Sequence, residues 1–278
     1  MVDKDWKTMN AREYKNFSKD SLKNKSIEEL IVLGSKDRCT VDRGVVDKPL
    51  IIRGISQSKH IHQCMQNNRD FYYTDTGYLA NHIGSGNPTG VKIWHRIVKN
   101  DLQHHVLRSC PPDRWQTLVK QDKRLEWHGW KNYASKILLV VPNPKSCVHY
   151  GIDIDVWKNK TIEDIKKYSD LPIEIRYKGS RRERNNGYTI YDAFDSGTYA
   201  TVTLNSIAAL ESVLYGIPAF VSVPCAASPL ASMDLSQLAN PFRPSTDLIL
   251  QQCYSLAYGQ FNLQEIYDGT AWKLLQKF

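Results

Sequence analysis

Residues 199–223, YATVTLNSIAALESVLYGIPAFVSV, constrain the fold more than any other stretch, because within them the hydrophobic period switches from strand to helix and back. Tyr199–Leu204 is apolar and β-branched and predicts a strand. Asn205 and Ser206 supply an N-cap, Ile207–Tyr215 carries apolar residues at helical spacing, and Gly216-Ile217-Pro218 stops the helix before a second apolar run. Strand, helix and strand in so short a span make a βαβ unit, the building block of α/β sheets. In such sheets ligands bind outside the carboxyl ends of the strands, and the N–H groups and dipole at a helix start attract anions. The polar turn Asn205-Ser206 is therefore either a phosphate site or an ordinary helix cap, and spacing alone leaves both open.

The same alternation runs along the rest of the chain. Ile27–Leu33 and Leu50–Gly54 read as short buried strands, or as a strand and a helix; Phe71–Thr74 and Val91–Val98 read as strands on either side of the loop at residues 84–90. A Trp-rich basic segment, Arg114–Trp130, leads to the buried strand Lys136–Val141, which Pro142-Asn143-Pro144 terminates. Ile162–Tyr168 then reads as a helix, Ile173–Tyr177 as a strand, and Asp247–Tyr258 and Leu263–Phe278 as closing helices. The expectation is an α/β protein of two halves, residues 1–134 and 135–278, each built on a mainly parallel sheet.

Composition closes off several classes. With 41% hydrophobic residues, seven Trp and fifteen Tyr the chain folds instead of remaining disordered. It has no apolar run of 18 residues and opens on a polar, charged stretch, so neither a spanning helix nor a secretion signal is expected; the predicted location is cytoplasmic, with no membrane partner. Six cysteines without a CxxC pair read as reduced, mostly buried thiols. Gly84-Ser85-Gly86 lacks the third glycine of a dinucleotide fingerprint, and no Walker motif occurs. Asp153-Ile154-Asp155 has the spacing of a metal-binding pair but is more simply the acidic first turn of a helix, so no metal or cofactor is called for. The formal charge of +8 favours an anionic substrate or a polyanionic partner.

Candidate site residues follow from where the strands end. Three ends in the second half are polar: Asn143 and Ser146 after the strand at 136–141, Arg176 and Lys178 after that at 173–175, Asn205 and Ser206 after that at 199–204. A diphosphate carries about two negative charges, which an arginine grips bidentately while hydroxyl and backbone donors fill the other acceptors. In the first half Asp75 ends an aromatic strand and is the best-placed general base, the competing role being a cap on the turn with Gly77. His95 and Arg96 form a second pair, followed by Gln103-His104-His105. A histidine in a strand also has a purely structural explanation.

The string Asn205-Ser206, Glu211 and Gly216-Ile217-Pro218 resembles the donor-binding element of GT-B glycosyltransferases. That resemblance implies two Rossmann-like halves facing a cleft, the first binding the acceptor and the second a nucleotide sugar, with the last helix crossing back to the first half. It makes Asn205 and Ser206 diphosphate contacts and Glu211 a ribose or sugar contact, although Glu211 could equally form a buried ion pair. Arg176-Tyr177-Lys178-Gly179 also resembles a strand end of GT-B proteins that build phage and capsular glycans. Phe71–Tyr78 together with Lys92–Asn100 is similar to small tailed-phage glycosyltransferases that decorate DNA containing 5-hydroxymethylcytosine. This similarity implies UDP-arabinose or UDP-glucose as co-substrate, double-stranded hydroxymethylated DNA as partner, and the host cytoplasm as location. Arg96, Arg114 and Arg124 are then candidate DNA contacts, and Trp115, Trp127 and Trp130 candidates for stacking on a flipped base or for packing under a loop. A glycan-modifying transferase, a non-enzymatic DNA-binding protein and a nucleotide-sugar epimerase remain as alternatives.

Overall fold

The computed structural model describes residues 25–80, 94–132, 135–177 and 189–277. In chain order the elements are helix α1 (Ile27–Gly34), strand β1 (Leu50–Arg53), helix α2 (Ser58–Gln66), strands β2 (Phe71–Thr76) and β3 (His95–Lys99), and helix α3 (Asp113–Gln121). Then come β4 (Lys136–Val140), α4 (Pro144–Tyr150), α5 (Ile154–Lys166), β5 (Ile173–Arg176), α6 (Ile190–Asp195), β6 (Thr198–Thr203), α7 (Ile207–Leu214) and β7 (Ala219–Val221). The chain closes with α8 (Thr246–Ala257), the two-residue strand β8 (Gln260–Phe261), α9 (Leu263–Tyr267) and α10 (Thr270–Lys277). Among the described residues no helix is long and apolar enough to cross a membrane. All six cysteines are free, and all but Cys110 are buried.

The chain divides into two compact units, but not by a single cut near residue 134. The first unit takes the described residues up to Leu102, then Ser109–Lys123, then everything from Tyr254 onward; the second takes Gln103–Arg108 and Arg124–Cys253.

The second unit is a doubly wound sheet in the order β5-β4-β6-β7, with every neighbouring pair parallel. Period-two alternation along β4 explains its two cores. Ile137 and Leu139 face one way, with Ala200 and Val202 of β6, Phe220 of β7 and Ile165 of α5. Leu138 and Val140 face the other, with Phe194 of α6 and Ala208 of α7. The polar groups among them are satisfied: Thr203 donates from Oγ1 to the Val140 carbonyl at 3.0 Å, and Ser212 donates to Thr201 Oγ1 at 2.8 Å. At the end of α7, Gly216 has φ +85°, and a Cβ there would stand 2.3 Å from the Gly129 carbonyl oxygen, so the residue cannot be exchanged without displacing the 129–131 segment.

The first unit departs from the expected parallel sheet. Its strand order is β1-β2-β3-β8, and β3 runs antiparallel to both neighbours. Strands β1 and β2 are joined through a helix and run parallel. Helices α1, α9 and α10 cover one face, packing Leu30, Ile31, Ile266 and Ala271 on Ile51, Tyr72, Ile97 and Phe261. Ile27–Leu33 is thus a helix, opened by a capping box in which Ser26 and Glu29 satisfy each other's backbone N–H. Of the closing stretch, Leu263–Tyr267 and Thr270–Lys277 are two helices, broken at Gly269 with φ +85°.

One ion pair ties the closing segment to α3. Arg114 donates to both carboxylate oxygens of Glu265, and its Nε and Nη2 also donate to the carbonyls of Ala257 at 2.9 Å and Gln260 at 2.8 Å. The Glu265 side chain is buried, at 3% exposure, and that of Arg114 is mostly covered, at 11%. Arg114→Ala strands the Glu265 carboxylate and is expected to cost about 3–5 kcal/mol in a urea unfolding titration. A loss below about 1 kcal/mol would mean that water replaces the guanidinium.

Candidate functional site

The carboxyl edge of the second sheet is built by register. Val140 pairs with Arg176 on one side and with Thr203 on the other, so β5, β4 and β6 end level. The chain leaves β4 to β5 on one side and reaches β6 on the other, which makes the gap between β4 and β6 a topological switch point, where open α/β sheets hold ligands. Four of the expected donor residues lie at these two ends. Asn143, in extended conformation, caps α4: Oδ1 accepts from Ser146 N–H at 3.0 Å and Nδ2 donates to Ser146 Oγ at 3.2 Å. Ser206 caps α7, its hydroxyl accepting from Ala208 N–H at 3.2 Å. Asn205 before it is 8% exposed, and its carbonyl accepts from Gln103 Nε2 at 3.0 Å.

Arg176 stands half-buried at the end of the edge strand β5, and its carbonyl accepts from Val141 N–H at 2.9 Å. Asp192 in the first turn of α6 is held below the usual carboxylate range, first by the Thr189 hydroxyl and backbone N–H and then by the charge of Arg176. Glu211 lies one turn beyond the cap on the half-buried stripe of α7 that Ile207 and Tyr215 share at four-residue spacing, while Ala208, Ala209 and Leu210 point into the core. Lys178 lies outside the described residues. Asp153 is the N-cap of α5, accepting from Asp155 and Val156 N–H at 2.9 Å each, and Asp155 pairs with Lys158 at 2.6 Å.

The first unit holds a separate cluster. Asp75 lies inside β2, paired with Arg96 of β3, and does not cap a turn with Gly77, whose N–H goes to the Trp94 carbonyl. Its Oδ2 accepts from the Tyr73 hydroxyl at 2.9 Å and sits 3.5 Å from Arg96 Nη2, and its Oδ1 accepts from Thr76 N–H at 2.7 Å. Burial, with the carboxylate beside it, pushes the Tyr73 phenol far up, so Tyr73 stays a donor to Asp75 at any physiological pH. The Arg96 guanidinium lies 5.5 Å and 5.4 Å from the ring centres of Tyr73 and Tyr78 and is 10% exposed, whereas the Asp75 side chain is 38% exposed. The carboxylate is thus the accessible end of a buried aromatic and cationic socket. His95, in register between Thr76 and Phe261, is buried.

Three expected DNA contacts are turned inward. Arg96 and Arg114 spend their cations on Asp75 and Glu265. Trp115 is 5% exposed on the buried stripe of α3, which leaves no ring face for a base. Arg124 remains at the surface, 5.7 Å over the Tyr191 ring, and Trp127 is half-buried, edge-on to Trp130 at 5.0 Å with its N–H on Thr246 Oγ1 at 3.2 Å. The signal for α3 was present in sequence: prolines before Asp113, an acidic first turn and a basic last one.

No protein-family model and no curated protein sequence matches the chain. Among solved structures, the KpsC β-Kdo 2,7 transferase of Thermosulfurimonas dismutans is similar over 97% of this chain and 97% of that one, with 10% identity and a TM-score of 0.46. The KpsC β-Kdo 2,4 transferase of the same organism covers 74% of this chain and 78% of its own, with 11% identity and a TM-score of 0.41. Likeness at this level assigns the chain neither a fold nor an activity.

If the level strand ends receive a nucleoside diphosphate, Arg176→Ala weakens UDP binding by about 1.5–3 kcal/mol in calorimetry, the range of a charge-assisted contact. Ser206→Ala does the same and in addition costs about 1 kcal/mol of stability, because the hydroxyl is also the cap of α7. Unchanged UDP affinity in folded Arg176→Ala protein removes Arg176 from the site.

Proposed function

We propose that the protein is a GT-B-like glycosyltransferase that binds a nucleotide-activated sugar at the carboxyl edge of the β5-β4-β6-β7 sheet and transfers the sugar to an acceptor hydroxyl. The observation that carries this is the level ending of three parallel strands with Asn143, Arg176, Asn205 and Ser206 around the switch point. The leaving diphosphate needs positive charge and donors that are already oriented, which an arginine and a capped helix start supply. Glu211 is assigned to the ribose or sugar hydroxyls. As the acceptor oxygen bonds to the anomeric carbon its proton passes to a base, the bond from that carbon to the diphosphate oxygen breaks, and the nucleoside diphosphate leaves with the electron pair. Asp75 is assigned as the base, since it combines partial exposure with a fixed position 3.5 Å from Arg96 Nη2.

In its finer form the donor is UDP-arabinose or UDP-glucose and the acceptor is 5-hydroxymethylcytosine in double-stranded DNA. The burial of Arg96 and Trp115 and the pairing of Arg114 with Glu265 favour a second reading of the acceptor, a glycan that needs no wide cationic surface. Mass spectrometry of nucleosides from hydroxymethylated DNA, after incubation with a panel of nucleotide sugars, separates the two. A sugar-sized mass increase establishes DNA as the acceptor. No increase with any donor, together with duplex affinity undetectable at low salt, leaves the glycan reading.

Asp75→Asn keeps the shape of the socket and removes proton acceptance. Turnover is expected to fall by about 10²–10⁴-fold with donor affinity unchanged. Near-wild-type turnover moves the base elsewhere.

A further inference from the structure

The chain leaves the first unit at Leu102, lends Gln103–Arg108 to the second and returns at Ser109. The first residue of that excursion is 8% exposed, and its amide is used at both ends. Nε2 donates to the carbonyl of Asn205 at 3.0 Å, and Oε1 accepts from Ala226 N–H at 3.0 Å. The carbonyl of Ala226 in turn accepts from Nε2 of the fully buried Gln252 at 2.7 Å. A single primary amide thus joins the turn after β6 to the segment after β7. Glutamine suits the task because its side chain carries a donor and an acceptor on one rigid plane.

The Asn205 carbonyl belongs to the same planar peptide as the Ser206 N–H. Holding that oxygen therefore fixes the peptide that enters α7 and the direction of the Ser206 N–H. We infer that Gln103 is the positioning residue of the donor site: its amide locks the Asn205–Ser206 peptide in the orientation that presents the head of α7 to the diphosphate of the nucleotide sugar. This rests on the donor reading above. Asn143 and Arg176 approach from β4 and β5 and are held by their own strands, so Gln103 acts on the β6 side of the site alone.

The test compares Gln103→Met, which keeps the length and loses both hydrogen bonds, with Gln103→Glu, which still accepts from Ala226 N–H but sets a carboxylate oxygen against the Asn205 carbonyl. Ser212→Ala is the control, a buried residue near the far end of α7 that bonds Thr201 Oγ1 and the Ile217 carbonyl. Binding of UDP, CDP, ADP and GDP is measured by calorimetry, with the thermal midpoint of each variant recorded alongside. Both Gln103 variants are expected to weaken the nucleotide that binds wild-type protein by tenfold or more, and to raise the donor KM more than they lower kcat. Ser212→Ala should stay within twofold despite a similar drop in midpoint. Affinity within twofold of wild type in either folded Gln103 variant overturns the positioning role while leaving the donor site standing. Equal weakening by Ser212→Ala overturns it as well, since general loosening of the unit then explains the effect. Wild-type protein that binds none of the four nucleotides overturns the donor reading itself.

Discussion

Strand β4 is buried on both faces, and where the second unit can hold chemistry follows from that. Ile137, Leu138 and Leu139 are fully enclosed, alternately beneath α5 and beneath α6 and α7. An uncompensated polar group on either face would cost about 1–3 kcal/mol, so the sheet tolerates only hydroxyls that find partners, as Thr201, Thr203 and Ser212 do. Free polar capacity is pushed to the ends of the strands. Parallel register then brings the ends of β5, β4 and β6 to one level, and short capped turns keep Asn143 and Ser206 there.

The first unit reaches a polar cluster by another route. In an antiparallel pair, residues directly opposite have side chains on the same face, and residues two apart on one strand share that face as well. Asp75 opposite Arg96, with Tyr73 two positions earlier, is the outcome. The cation lies over the Tyr73 and Tyr78 rings and the carboxylate lies toward solvent, so the socket sits at lower dielectric than its mouth. The Asp at that mouth is held by Tyr73, Thr76 and Arg96 while part of its side chain stays open to solvent.

Sequence made the second unit largely legible and the first only in part. The βαβ unit at 199–223 appears with its strand, cap and helix in place to within a residue, because every local signal there agrees: β-branched run, Ser cap, apolar helix, Gly-x-Pro stop. The acidic turn at Asp153 is likewise a helix start, though α5 runs eight residues further toward the N-terminus than its most apolar stretch suggested. Helix α1 was ambiguous because IEELIVLG is apolar nearly throughout, and a short apolar run fits either a strand or a helix; the Ser26 and Glu29 box decides it. The antiparallel β3 could not be read from alternation, which reports faces and not direction. Asp75, Arg96, Arg114 and Trp115 were visible as residue types, but which cations turn inward depends on partners such as Glu265, far away in sequence. Gln103 gave no signal beyond its place beside two histidines, since its role is set wholly by the Asn205 and Ala226 peptides that it meets in space.

The same separation governs how the charge of +8 is to be understood. Counterion release, which supplies most of the affinity for a nucleic acid, needs cations that meet phosphate at the surface. Arg96 and Arg114 face Asp75 and Glu265 inside the first unit, so each pair is neutral and contributes nothing to that term. Because each buried cation is matched by an anion, the excess of eight is undiminished and must be carried by the remaining side chains. A basic balance therefore survives the loss of the residues that first suggested a DNA surface, and it is compatible with a much smaller polyanion. A nucleoside diphosphate needs only a few charges at one strand edge, and Arg176 at the end of β5 already stands there.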